Sequence, residues 1–379
     1  MKKIIFLIAI AAAEITVNAQ SKSVNNTAGG LATALTADEK LTLKELTITG
    51  EINSADVKIL RIMTKTRKQR FGTAVEGNGV LEVLDMRDAK FIYDSKDYFY
   101  DDDNMEGFGT SPNSISGYMF IGSSTLKKVY PPKGTKSVGP YAFADCSNLE
   151  LFDASDVAVF SSSCFSGCEQ LAPVSLEKAR SIGSSAFSRN LKITEVVIND
   201  NIIENGSGET STFSGNAFAG CANIKSVKLG KGITYLDSYS FNNLANLESV
   251  DIQGDLKYLL PNSFNDCASL KSFTVNAASV PTTPNMSYAT GPFNNLPATA
   301  VLYVPAGSEN AYAAAKHWSN FKSVKAIGSG STAIGEIDAD NAATVDAVYT
   351  IDGKRLEQPA KGLNIIKMSD GTVRKVIVK

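Results

Sequence analysis

Histidine and tryptophan are almost missing from this chain of 379 residues: each occurs once, as His317 and Trp318. A single imidazole cannot build a histidine metal cluster, and no serine or cysteine in a catalytic frame accompanies it. An excess of one charge is missing too, with 37 Lys and Arg against 39 Asp and Glu. That balance excludes the basic face on which nucleic-acid binding depends. Beyond Ala13 no apolar run reaches the roughly 18 residues that mark a membrane-spanning helix, so no transmembrane span is expected. The motifs G-x-G-x-x-G, G-x-x-x-x-G-K-[ST], H-E-x-x-H and G-x-S-x-G do not occur. No catalytic, cofactor-binding or metal-binding residue is therefore expected, and no enzyme. What remains is an apolar fraction of 43%, which suits a folded chain.

The N-terminus has the layout of an exported protein. Met1, Lys2 and Lys3 form a positive start, Ile4 to Ala13 an apolar run, and Val17-Asn18-Ala19 a cut site before Gln20. Glu14 is an irregularity within that layout. The competing reading of residues 1–19 is a buried N-terminal strand. No cysteine stands at the cut, so a lipid anchor is not indicated. Removing the leader takes away Lys2, Lys3 and Glu14 and leaves 35 basic against 38 acidic residues.

Phenylalanine recurs at 120, 143, 165, 187, 218, 241, 264 and 293, with gaps of 23, 22, 22, 31, 23, 23 and 29. The neighbourhood repeats with it. Five residues before each Phe stands an apolar residue (Ile115, Val138, Phe160, Ile182, Phe213, Leu236, Leu259). Six after comes Leu or Ile, and nine after comes Val or Phe. The unit reads x-G-x-x-A-F-x-x-C-x-x-L-x-x-V-x-L. Its tail alternates like a short strand. The A-F-x-x-C-x-x-L part sets Phe, Cys and Leu three apart, like the stripe of a helical or 3₁₀ turn. One unit cannot bury both of its edges; a stack of them buries a continuous column.

The blocks VGPYAFADCSNL, IGSSAFSRNLKI, AFAGCANIKSVKLG and SFNDCASLKSF resemble the BspA-like leucine-rich-repeat proteins, secreted bacterial solenoids. The resemblance spans roughly residues 113–325. It implies a right-handed α/β horseshoe, rich in β-structure, of about eight 22–23-residue coils. It also implies a role in adhesion and in binding host or microbial surfaces. The segment around Tyr303-Val304-Pro305 and Glu309 to Lys316 resembles the way such arrays end, with a capping helix. Two gaps depart from the repeat: 199–212 is a polar insertion and 276–292 a Pro-rich irregular coil.

The flanks divide the rest. Residues 20–112 form an N-terminal capping region with α- and β-elements. LATALTADEK is expected as a short helix and ELTITG as a strand. A further helix, capped by Asn53 or Ser54, is expected through Met63. Leu81, Leu84 and Met86 mark an atypical first repeat. Residues 326–341 are a Gly/Ser linker. Residues 342–379 form a small β-module of three strands, with Asp352-Gly353 and Asp370-Gly371 as hairpin turns. This tail resembles the sorting tails of the type IX pathway. An outer-membrane surface or extracellular location follows, with the periplasm as alternative.

The five cysteines invite a disulfide scheme in an exported protein. Yet Cys146, Cys168, Cys221 and Cys267 all lie three residues after a repeat Phe, in one equivalent slot, and Cys164 takes the small slot before Phe165. Buried free thiols are expected, with Cys146 and Cys168 the pair closest to a bridge. The acidic run Asp101-Asp102-Asp103 reads as a solvated loop. Tyr93, Tyr98, Phe99 and Tyr100 beside it form a candidate contact patch. Lys65 to Arg70 reads as a solvated helix end.

The outward strand face follows from the repeat frame. Eight residues after each Phe stand Lys128, Leu151, Pro173, Glu195, Ser226, Ser249 and Ser272. Ten after stand Tyr130, Asp153, Ser175, Val197, Lys228, Asp251 and Thr274. From these, Lys128, Tyr130, Asp153, Ser175, Glu195, Ser226, Lys228, Ser249, Asp251, Ser272 and Thr274, with Tyr98 and Tyr100, are the candidate partner-binding residues. The partner expected is an unknown macromolecule, a protein on a host or microbial surface. A glycan is the alternative, although only Tyr130 is aromatic on this face. A structural surface spacer is a third reading.

Overall fold

The structure, a computed structural model, describes residues 20–200, 215–284, 291–328, 345–350, 354–356, 362–368 and 373–378. The expected leader 1–19, Phe213, most of the 199–212 insertion and of the linker, and both Asp-Gly turns lie outside the described residues.

The repeat folds into coils whose strands pair in parallel. The L-x-x-V-x-L tails make one row of strands. Glu195–Ile198, Ser226–Leu229, Ser249–Ile252, Ser272–Val275, Val301–Val304 and Ser323–Ala326 pair in that order. Inward residues such as Val227, Val250 and Phe273 are buried. A second row was not expected. Among the described residues, Ile115, Val138, Phe160, Ile182, Leu236 and Leu259, each five before a repeat Phe, also sit in two-residue strands. Ser114–Ile115, Ser137–Val138, Val159–Phe160 and Ser181–Ile182 form a parallel sheet, and Tyr235–Leu236 pairs with Tyr258–Leu259. Each regular coil is thus a flattened loop with a sheet on two sides.

The segment between the two rows is not the helical or 3₁₀ turn that the spacing suggested. Its N–H groups alternate. Those of Ala142, Ala144 and Cys146 close local turns on Gly139, Tyr141 and Phe143, while those of Tyr141, Phe143 and Asp145 reach the next coil at Ser162, Cys164 and Ser166. Left-handed residues two before and two after the Phe of each coil from Phe120 to Phe264 produce this zigzag, as at Tyr141 and Asp145, Ser163 and Gly167, Ser185 and Arg189. That conformation favours Gly, Asn and Asp, which fill most of the later position. Both neighbours gain main-chain bonds, so the coils lock along a third side.

The phenylalanines stack into one column. Ring centroids from Phe120 through Phe143, Phe165, Phe187, Phe218, Phe241 and Phe264 lie 5.2–5.7 Å apart. Every one of these rings is buried. Trp318 packs edge-on to Phe293 at 5.0 Å and to Phe273 at 6.1 Å, at the end of the column. The helix before it, Glu309–Ala314, is shorter than the 309–316 expected.

The N-terminal region builds a second parallel sheet with the first two coils. Ser21–Asn26, Glu45–Ile52 and Val83–Asp85 pair in parallel with each other and with Lys128–Tyr130, which pairs with Leu151–Phe152. Leu81, Leu84 and Met86 are fully buried. The helix Ser54–Met63 starts at Asn53, whose side chain and that of Asp56 form a reciprocal capping box. LATALTADEK is two single turns, Leu31–Ala34 and Glu39–Thr42, rather than one helix. Residues 65–70 are not a solvated helix end. Arg67 pairs with Asp145 at 3.0 Å, and Arg70 lies over the Tyr141 ring at 4.4 Å.

Two surface rows alternate in charge from coil to coil. One runs Asp88, Lys133, Asp156, Lys178, with ion pairs Lys133–Asp88 at 2.8 Å and Lys178–Asp156 at 2.6 Å. The other contains Lys127–Glu82 and Lys271–Glu248. Near the C-terminus the described strands Val345–Thr350, Arg355–Leu356, Gly362–Met368 and Val373–Val378 form an antiparallel sheet, one strand more than expected.

Candidate functional site

The strand face divides at the third coil. Where every other coil of the frame has a residue able to donate, eight after its Phe, this one has Pro173, which has no N–H. Residues 172–176 form no strand. No main-chain bond joins Ser175 N–H to the Phe152 carbonyl, or Glu195 and Val197 N–H to the carbonyls of Ala172 and Val174. The continuous outward ladder expected through Pro173 and Ser175 is therefore two sheets with a gap between them.

On the first sheet's side of the break, the third coil forms a concavity of about 300 Å³ lined by Tyr130, Leu151, Asp153, Pro173, Val174 and Ser175 among others. A second, of about 230 Å³, adjoins it through Asp153 and Ser155 and adds Arg87, Lys133, Thr135 and Asp156. Arg87 stands 4.7 Å from the Tyr130 ring centroid and pairs with Asp85 at 2.6 Å. The Arg87 hydrogen bond holds the Asp85 carboxyl below its usual pKa against the opposing effect of burial. Asp153 and Ser175 are exposed and Tyr130 half-buried. Lys128, also exposed, is in register with Leu151 at the rim.

The remaining face residues lie on the second sheet. Ser226, Ser249 and Ser272 are in register as one row, beside Glu195. Lys228, Asp251 and Thr274 form the next row. Tyr303 extends that row in register with Thr274. The same ten-residue offset from Phe293 points to Tyr303, so the signal was in the sequence, hidden by the irregular 29-residue gap. Arg87 had no such signal, because it reaches Tyr130 only through the pairing of Asp85 with Tyr130 across strands.

The aromatic patch is corrected. Tyr98 is 4% exposed, and its hydroxyl donates to the Gly117 carbonyl at 2.6 Å, so it cannot meet a partner. Burial pushes its pKa well up. Phe99 is buried too, stacked 4.7 Å from Tyr118. Only Tyr93 and Tyr100 of the group are exposed. Asp101 is not solvated: it is buried and accepts from Tyr118 Oη and from Asn104 Nδ2, both at 2.7 Å. Burial opposes its ionisation, but these bonds outweigh that and lower its pKa.

The cysteines are all free and buried. They are also donors. The Sγ of Cys146, Cys168 and Cys221 reaches the carbonyl of the preceding coil's Phe (Phe120, Phe143, Phe187) at 3.0–3.1 Å. Asn190 fills the same slot and donates to Phe165 at 2.8 Å. Burial pushes the thiols of Cys146, Cys221 and Cys267 up to about 12, which removes thiolate chemistry. His317 is half-buried against Gly291, where a Cβ would come within 2.1 Å of its Nδ1. Burial and then Lys316 hold its pKa below the usual histidine value.

Among the described residues no helix is long and apolar enough to cross a membrane. A profile of the BspA-type leucine-rich-repeat region matches in six copies, over residues 95–213 and 207–290. Among curated proteins none matches. Solved structures similar to this chain include a leucine-rich-repeat protein of T. pallidum, 24% identical, covering 41% of this chain and 71% of its own, with a TM-score of 0.36. Another, from Bacteroides ovatus, is 20% identical, covering 56% of this chain and 64% of its own, at 0.32. A third, from Eubacterium ventriosum, is 14% identical, covering 73% and 90%, at 0.39.

Proposed function

The chain belongs to the BspA-type leucine-rich-repeat family, and from that premise we propose that it is an exported, non-catalytic protein that binds a macromolecular partner through its strand face. Repeat proteins of this kind serve protein interaction, and a stack of coils supplies an extended surface for it. The observation that carries the reading is the pair of in-register rows, Ser226-Ser249-Ser272 and Lys228-Asp251-Thr274-Tyr303. They present hydroxyls, both charges and an aromatic ring at a fixed strand spacing. Such a surface suits a broad polar protein contact.

In this reading about eight coils form the horseshoe, residues 20–112 cap its first end and the 309–316 region its second. The leader and the 342–379 module direct the chain to the bacterial surface, where it acts in adhesion. The test applies mature chain to arrays of matrix and envelope proteins and, in parallel, to a glycan array. Protein hits that vanish with Lys228→Glu plus Asp251→Lys support the reading. Glycan hits alone, lost with Tyr303→Ala, make the chain a carbohydrate-binding module. Protease shaving of intact host cells with and without residues 342–379 tests location: protection of both forms would sink the surface assignment.

A further inference from the structure

We propose that the gap at the third coil receives the cationic side chain of a lysine or arginine carried on an extended segment of the partner protein, with Asp153 as its counter-ion. The proposal rests on the reading of the strand face as the binding surface, and it names where on that face the partner is anchored and by what chemistry.

The first observation is charge. The two adjoining concavities are lined by Arg87, Lys133, Asp153 and Asp156 as their only ionisable carboxylates and cations. Arg87 is paired with Asp85, Lys133 with Asp88 and Asp156 with Lys178. Asp153 alone has no ion pair; the only described bond to its carboxylate is from the Ser155 N–H to Oδ1 at 3.1 Å. It lines both concavities, so the one uncompensated charge of the site stands at its centre. Asp153 is exposed, so a partner's cation can reach its carboxylate without displacing a resident one, in a charge-assisted hydrogen bond.

The second observation is the main chain. The third coil keeps one main-chain bond to the second, from Ala172 N–H to the Glu150 carbonyl at 2.9 Å, but it forms no strand, and among the described residues neither the Phe152 carbonyl nor the Ser175 N–H has a main-chain partner. Unpaired sheet edges are met by the main chain of an extended peptide. Leu151, Pro173 and the Tyr130 ring supply apolar walls. A lysine or arginine stem lies along such walls while its head pairs with a carboxylate. A neutral glycan would answer the unpaired main-chain groups but leave Asp153 uncompensated.

The test is panning of a displayed random dodecapeptide library on the mature chain and on Asp153→Lys, each first shown to melt like the parent. The parent should select peptides with Lys or Arg at one shared position, and Asp153→Lys should select Asp or Glu there instead. A synthetic peptide from the parent selection should bind at least tenfold more weakly to Asp153→Asn, and unchanged to Asp255→Asn, an exposed carboxylate outside the strand face. Its affinity should fall as salt rises. Selection without a basic consensus, or equal binding to Asp153→Asn, overturns the proposal. If such peptides instead lose binding with Lys228→Glu plus Asp251→Lys, the strand-face reading survives and only the anchor fails. If no peptide is selected and only glycans bind, both fall.

Discussion

The two halves of the strand face are built on different plans. In the C-terminal sheet, strands start at 195, 226, 249, 272 and 301, and the two middle spacings are both 23 residues. In the N-terminal sheet they start at 21, 45, 83 and 128, yet the parallel register is kept throughout. The C-terminal half is held by many similar contributions: a stacked Phe in each coil and, in the coils of Phe218 and Phe264, a thiol donor (Cys221, Cys267) to the preceding Phe carbonyl. The N-terminal half is held by single polar anchors. Asp56 caps its own helix and also accepts from Gly29 and Leu31 N–H. Arg61, fully buried, donates to the carbonyls of Tyr118, Met119 and Arg67 and pairs with Glu76 at 2.8 Å. The ladder register is common to both halves, and spacing is free wherever a specific network replaces the repeat.

The sharpest way to break this contrast is at the column. Phe187→Ala should cost roughly 3–5 kcal/mol through cavity formation, read by urea unfolding, with hydrogen exchange rising in the coils on either side. A loss below about 1 kcal/mol would contradict the stacked column. Next is the anchor. Arg61→Met should cost about 3 kcal/mol, because it strips donors from three carbonyls and leaves Glu76 unpaired. Exchange should rise around residues 54–121 and not beyond residue 226. Arg61→Lys should not rescue, since an ammonium cannot serve the same fork. A uniform rise along the chain would erase the distinction between the halves.

Smaller is the donor slot. Cys146→Ala should cost about 1 kcal/mol through the unmet Phe120 carbonyl. The native chain should leave all five thiols unreacted with a thiol reagent at pH 8, and release five on unfolding. Fast reaction of any one would contradict its burial. Smallest is the acid limb. Glu82, Asp156 and Glu248 have pKa values lowered chiefly by hydrogen bonds from Lys127, Lys178 and Lys271. A lowered carboxylate contributes stability above its unfolded pKa and loses it as pH falls through the folded one. The melting temperature should therefore slip modestly below about pH 4, less so in high salt. An unchanged slope in the three Gln/Asn variants would show the pairs to be inert.

The main row of strands was legible because nine- and eleven-residue offsets from Phe carry alternating apolar residues. The second row was visible only as an apolar position, since strands of two residues are too short for alternation to register. Phe, Cys and Leu three apart arise equally from a helix and from alternating right- and left-handed turns, and only main-chain bonds tell them apart. Tyr98 looked like surface because composition around it is acidic; its burial depends on Gly117, nineteen residues away. Pro173 was in plain view within the frame, but its effect, an opened gap beside Asp153, appears only once the neighbouring coils are in place.

The alternating charge row has a consequence for how this chain tolerates rearrangement. Asp88, Lys133, Asp156 and Lys178 act as a parity check on the stack. Excising one coil between them would set like charges side by side, whereas excising two restores the alternation. The row thus distinguishes odd from even changes in coil number, a rule the indifferent Phe column cannot enforce. Length variants of this solenoid should accordingly be better tolerated in steps of two coils than in steps of one.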